Sequence, residues 1–299
     1  MKKLIFAGCL LVINLVADVI TATPYIATIN YDSDPLKSEK DKATLFGVRA
    51  TIGDLNYLIE ADLINTSTQY KPTTTTTGNR RRNNTNTQTL NQQEIALSYS
   101  KYYEKIMFRV GGHYINSNDE QLGNGNVILT TLGGYKTLDK DRYNYGIQAY
   151  YSYYSKGHDE NYTPKAVQIM QFTPYFSFYK PLTTNLANTL LLKLNYQIAP
   201  DYIKENYTSY EISDTIHYKS LFATLYLYGG EMRTGVKDDG VTIFNTLDLM
   251  KRGYNMKVGY YITKAAVVSI SYGQNSYEEY GLTQEATNSV AVVNFNYGF

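Results

Sequence analysis

The chain of 299 residues contains one cysteine, Cys9, and no tryptophan. A single thiol cannot close an intramolecular disulfide, and no Cys/His cluster stands at metal-ligand spacing, so neither a disulfide framework nor a structural metal site is expected. There is no phosphate-binding glycine loop and no nucleotide motif, so no cofactor is expected. Lys and Arg number 28 against 27 Asp and Glu, a net charge of +1 that leaves no basic footprint for nucleic acid. Past the N-terminus no apolar run approaches the ~18 residues of a spanning helix. By mean hydropathy, −0.36, the chain is polar.

One residue type is in excess: there are 32 tyrosines. Their rings are apolar at one end and wet at the other, which suits a boundary between hydrocarbon and water. The N-terminus reads as an export signal. Lys2 and Lys3 precede an apolar run from Leu4 to Val16, and small and polar residues follow through Ala22. Cleavage is expected after Ala22, with Ala17 as the alternative, dividing the chain into a signal at 1–22 and one domain at 23–299. Cys9 leaves with the signal. Phe6-Ala7-Gly8-Cys9 is a weak lipoprotein box, because the apolar run continues well past the cysteine.

In the mature chain the apolar residues recur every second position, the period of a strand with two unlike faces. Tyr25, Ala27, Ile29 and Tyr31 share one face; so do Phe46, Val48, Ala50 and Ile52, with Arg49 opposite. Gly53-Asp54 is a hairpin turn signal. After it Leu55, Tyr57, Ile59, Ala61 and Leu63 alternate with Glu60 and Asp62. Arg49, Glu60 and Asp62 thus fall on the same, non-apolar face of one hairpin, which a dry core would not tolerate and a watered interior would. The alternation continues to the last strand. Pro174 interrupts a strand and asks for a bulge or a later start. The stretch from Thr66 to Gln92, with Thr73 to Thr77 and Arg80 to Arg82, reads as a long loop. The region 199–240 reads as a long polar loop, a strand near Ser220 to Tyr228 and a turn through Lys237-Asp238-Asp239. A tight connector is expected at Lys251-Arg252-Gly253, between strands near 241–249 and 254–262.

The final residues, Ala291 to Phe299, put Phe299, Tyr297, Phe295, Val293 and Ala291 on one face. A terminal aromatic with aromatics two and four residues before it resembles the C-terminal insertion signal of Gram-negative outer-membrane β-barrels. That resemblance, porin-like in pattern and without a specific subfamily, covers the whole mature chain. It implies export to the outer membrane and a terminal strand, marked by Phe295, Tyr297 and Phe299, that the barrel assembly machinery reads and the first strand then pairs with. It also implies contact with outer-membrane lipid and lipopolysaccharide. The expected fold is an all-β, antiparallel up-and-down transmembrane barrel of 14 strands, with 12 as the alternative. Short turns on one side and long loops near Lys37, Thr75, Asp119, Glu160, Glu205 and Glu279 on the other fit such a barrel. No plug is expected inside it.

A channel is the leading functional expectation: passive diffusion of small polar or charged solutes through a hydrated lumen. Arg49, Glu60, Asp62, Arg109, His113, Lys193, Asp248 and Lys257 are its expected lining. The alternative is a surface-binding or structural barrel acting through its long loops. An enzyme is less favoured. Barrel lipases and lipid A deacylases use a His/Ser pair on the lipid-facing side, and His113 and Ser117 do not match its spacing, while His158 and His217 have no suitable serine nearby.

Overall fold

The structure, a computed structural model, describes residues 19–72, 88–118, 123–138, 140–156, 165–201, 204–237, 242–243 and 247–299. Most of the expected signal, Thr73 to Thr77, Arg80 to Arg82, His158, Asp238 and Asp239 lie outside the described residues. The strands are β1 (Val19–Tyr31), β2 (Lys40–Gly53), β3 (Tyr57–Tyr70), β4 (Thr89–Tyr103), β5 (Ile106–Ser117), β6 (Gly125–Leu138), β7 (Asp141–Tyr154) and β8 (Val167–Pro181). They continue with β9 (Leu186–Ile198), β10 (Asn206–Tyr218), β11 (Leu221–Arg233), the two-residue β12 (Val236–Lys237) and β13 (Thr242–Ile243), β14 (Leu249–Tyr261), β15 (Ala266–Glu278) and β16 (Glu285–Gly298).

Fourteen of these close an antiparallel barrel in which each strand pairs with its chain neighbours, β12 and β13 excepted. Closure comes from β1 against β16, in register from Thr21–Gly298 to Tyr31–Asn288. Phe299 N–H donates to the Ile20 carbonyl at 2.9 Å, fastening the last residue to the first strand. An open sheet would leave a row of unpaired backbone groups, and the closed ring leaves none.

The expected number of strands is the number found, though two members differ. β10 occupies a stretch expected to be loop. β14 runs without a break through Lys251-Arg252-Gly253, so no connector exists there, and Thr242–Ile243 belongs to the small β12–β13 sheet instead of the barrel. Both ends of the expected Thr66–Gln92 loop, through Tyr70 and from Thr89, belong to β3 and β4. Pro174 needs neither a bulge nor a late start. It keeps its place opposite Ile147 in β7, and the ladder to β9 skips Thr173 and Pro174 and resumes in the same register. A missing N–H is tolerated because the strand is held on its other side.

Side chains sort by parity. Outward stand Ile95, Leu97 and Tyr99 on β4, Leu190, Leu192 and Leu194 on β9, and Val293, Phe295 and Tyr297 on β16; all but Leu190 are well exposed. Several strands carry apolar residues on both faces, β1 and β6 among them. On β1 it is Tyr25, Ala27, Ile29 and Tyr31 that point inward, and Ile26 faces out. On β6 Val127 and Leu129 are buried inside, while Ile128 and Leu132 are exposed outside.

Candidate functional site: the barrel lumen

One interior wall, β2 to β5, carries paired charges. Arg49 and Asp62 are cross-strand partners, and the Arg49 Nε donates to Asp62 Oδ2 at 3.0 Å. The Tyr25 hydroxyl donates to the other oxygen, Oδ1, at 2.8 Å. It can reach because Gly47 lies under its ring: a Cβ there would stand 2.2 Å from Tyr25 Cζ. Arg109 Nη2 donates to Glu60 Oε2 at 3.0 Å. Higher on the wall His113 Nε2 lies 2.8 Å from Glu94 Oε2, and Gln92 Nε2 donates to Glu94 Oε1 at 2.6 Å. Side-chain exposure is 38% at Arg49 and 21% at Glu60, against 2% at Asp62 and 0% at His113. Toward the short turns solvent thus reaches Arg49 and Glu60, while the wall toward the long loops is packed.

The facing wall, β8 to β10, is a row of amides. Asn195 Nδ2 donates to Glu211 Oε1 at 2.8 Å, Thr173 Oγ1 donates to Asn195 Oδ1 at 2.8 Å, and Gln197 Nε2 donates to Gln171 Oε1 at 3.1 Å. Two of these amides hold the end of β11 and the segment that leaves the wall after it. Arg233 N–H donates to Gln197 Oε1 at 3.0 Å. Val236 N–H donates to Gln171 Oε1 at 3.0 Å, and Gln171 Nε2 returns a bond to the Val236 carbonyl at 2.8 Å. This two-way amide match imitates a β-ladder rung and leaves neither backbone group of Val236 unsatisfied.

The segment is the connector between β11 and β14, and it folds into the barrel. Val236 packs with Val127, Leu129 and Tyr150 of β6 and β7, across the interior from β11. Lys237 is buried with its Nζ 3.3 Å from the centroid of the Tyr228 ring, a cation–π contact. Leu247 enters a second cluster with Ile115, Tyr154, Val167, Ile169 and Tyr207. The expectation of an unplugged lumen is thus corrected: the plug is a connector of the barrel itself, not a separate module.

A polar lid lies over these clusters. Lys40 and Asp248 form a buried ion pair, and Asp248 Oδ1 also accepts the Tyr280 N–H at 3.1 Å. Ser38 Oγ and the Glu39 N–H donate to Glu279 Oε2 at 2.6 and 3.1 Å, and the Tyr277 hydroxyl donates to Ser38 Oγ at 2.9 Å. Burial pushes the Glu279 carboxyl above its usual range, with Lys40 opposing the shift. Lys71 Nζ donates to the Ser38 and Asp32 carbonyls, and burial lowers its pKa.

Of the expected lining, Arg49, Glu60, Asp62, Arg109, His113, Lys193 and Lys257 stand on the inward parity of their strands. Lys193 faces Glu211 across the ladder, and the Lys257 Nζ lies 5.7 Å from the Phe222 ring. Asp248 is no wall residue; it precedes β14 and is bound into the lid. His113 and Ser117 share a strand face about 13 Å apart, too far for a catalytic pair. Glu94, Gln171, Gln197 and Tyr25 were not among the expected lining. Glu94 has the parity of Ala96 and Ser98, so carrying the β4 alternation back one residue would find it.

A closed 14-stranded antiparallel barrel, apolar and aromatic outside with polar and charged pairs within, is the architecture of outer-membrane β-barrels. Known structures share it. The toluene transporter TodX of Pseudomonas putida matches with a TM-score of 0.55 at 12% identity, over 94% of this chain and 90% of that one. The toluene transporter TbuX of Ralstonia pickettii matches at 0.54 and 9%, and the monoaromatic hydrocarbon channel CymD at 0.53 and 8%, each over 95% of this chain and 90% of its own. At such identities the likeness is one of fold. No protein-family model matches the sequence, and neither does any curated protein.

Proposed function

We propose that this protein is a channel of the bacterial outer membrane that passes small polar or charged solutes, and that the inward connector controls its conductance. The observation that carries this reading is the interior itself. From the short-turn end to the level of Val236 the wall presents Arg49, Glu60, Arg109, Lys193 and Lys257 among Asn, Ser and Thr, and Arg49 remains partly exposed. Such a lining selects by charge placement and width. The apolar clusters above are filled in part by Val236 and Leu247 of the connector. Conduction therefore requires that the bonds between Gln171 and Val236 break.

The test is conductance of the refolded mature protein in a planar bilayer. The wild type is expected to be mostly silent with rare discrete openings. Gln171→Leu removes both rungs to Val236 and should raise the open fraction by about thirtyfold, each hydrogen bond contributing ~1 kcal/mol. Silence in both proteins, each shown folded by heat-dependent gel mobility, would sink the channel. A second reading has its own support. The buried Val127, Leu129, Tyr150 and Ile169 would offer an apolar path if the connector withdrew, and TodX and CymD are named for aromatic hydrocarbons. Uptake of toluene against a small sugar by vesicles carrying Gln171→Leu separates the two.

A further inference from the structure

The outer face of β10 carries a residue that a lipid-facing surface should not have. Glu211 points inward to Asn195, so Asp214, three residues on, points outward, opposite Leu190 of β9 and Leu225 of β11. Its neighbours on that face are Ile212 and Ile216, and the strand's outward tyrosines, Tyr210 and Tyr218, are both about half exposed. Asp214 lies midway between them, ~13 Å along the strand from each. Among the described residues it is the only acid on the outer face between the two aromatic girdles. An ionisable group at that depth is unfavourable against hydrocarbon and marks a functional contact.

It does not stand alone. Asn188, on the same outer face of β9, donates from Nδ2 to Asp214 Oδ1 at 2.5 Å. That bond uses one amide N–H and one carboxylate oxygen. Among the described residues the second N–H of Asn188, its own carbonyl oxygen and Asp214 Oδ2 have no hydrogen-bond partner, and an acyl chain can neither donate nor accept. The pair thus presents one donor and several acceptors side by side, a set that is complementary to itself when turned through a two-fold axis. The surface around it is flat. Between the girdle tyrosines β9 to β11 present only Leu, Ile and Ala beside the polar pair, whereas Phe46 and Phe172 project elsewhere at 55% and 38% exposure. Small aliphatic surfaces allow close approach in lipid, where polar side chains supply the specific bonds.

We infer that the outer face of β9–β11 is a self-association surface: two copies of this chain pair in the membrane, with Asn188 and Asp214 of one copy bonded to Asp214 and Asn188 of the other. This rests on the membrane reading of the barrel but not on its being a channel. The test uses the full mature chain refolded into phosphatidylcholine vesicles, where protease protection and heat-dependent gel mobility first report insertion and folding. With no cysteine beyond Cys9, a Leu190→Cys variant should cross-link to itself on mild oxidation at least tenfold more than Ile128→Cys, a lipid-facing control on β6. Asp214→Leu in the Leu190→Cys background should lose that excess, and Asp214→Asn, which keeps the hydrogen bonding, should retain it. Sedimentation of the wild type in mild detergent should give twice the chain mass. A monomer mass with cross-linking no higher than the control would overturn the proposal, as would undiminished cross-linking in folded Asp214→Leu. A failure to insert at all would strike the membrane reading instead.

Discussion

Asp62 shows how one side chain depends on another two strands away. Its carboxylate takes a bond from Arg49 and one from Tyr25, and the second exists only because Gly47 has no Cβ. Gly47→Val should displace the Tyr25 ring, leave Asp62 Oδ1 without its donor, and lower stability by about 1–3 kcal/mol, read as a shift in the urea midpoint of unfolding. Asp62→Asn should cost less, since both donors can still bond the amide oxygen. Glu279 gives a pH dependence of known sign. Its folded-state pKa is raised above the usual 4.5, so the folded barrel takes up this proton before the unfolded chain does. The destabilisation it brings at neutral pH is therefore relieved as pH falls through the raised value toward 4.5. Stability measured from pH 7 down to pH 5 should rise by this contribution, and Glu279→Gln should flatten that slope. On β2, β3 and β5 parity placed Arg49, Glu60, Asp62, Arg109 and His113 inward, whereas on β1 and β6, apolar on both faces, parity alone did not say which face is inside. Which partner each finds was not legible in the sequence, because register and the resting place of Tyr25 belong to neighbouring strands.

Among the elements, β10 was hidden and β14 was split, and each for a definable reason. The outer face of β10 reads Tyr210, Ile212, Asp214, Ile216, Tyr218, and the acid in its middle breaks the apolar period that signals a strand. In β14, Lys251-Arg252-Gly253 resembles a turn, but the strand carries an irregular register there between Met250 and Arg252. Opposite it β11 shifts between Gly229 and Met232, with Gly230 at φ 98°, and Glu231 at this irregularity bonds Lys251. Charge and glycine mark a bulge here, not a chain reversal. The connector's inward course was illegible because its anchors, Gln171 and Gln197, lie on β8 and β9. The first strand carries a prediction for processing. Val19 to Ala22 belong to β1 and pair with Gly53 to Ala50. Cleavage after Ala17 keeps these pairs, while cleavage after Ala22 removes them together with the Ile20 carbonyl that holds Phe299. Mass spectrometry of the exported protein should therefore give Asp18 as its first residue; a chain beginning at Thr23 would contradict this.

At the scale of the molecule, two kinds of interior share one barrel. The half toward the short turns is polar, with Arg49 and Glu60 open to solvent; the half toward the long loops is a protein core built of Ile115, Tyr154, Leu247 and Met232, capped by the Lys40–Asp248 pair. A ring of fourteen strands is wide enough to hold water, and here part of that width is filled by the chain's own connector.

The bond from Phe299 to Ile20 joins positions separated by nearly the whole length of the chain. Every other pairing in the wall joins strands adjacent in sequence, or separated only by the small β12–β13 hairpin, and can form as soon as its two members meet. The seam cannot. Its closure entropy is that of the largest loop the molecule contains, lessened only to the extent that the intervening hairpins have already zipped. Until it forms, β1 and β16 each expose a bare edge able to capture any other strand, in another copy as readily as in the same one. The slow step of assembly is thus the final one, and a half-made barrel is the species that a cell must shelter.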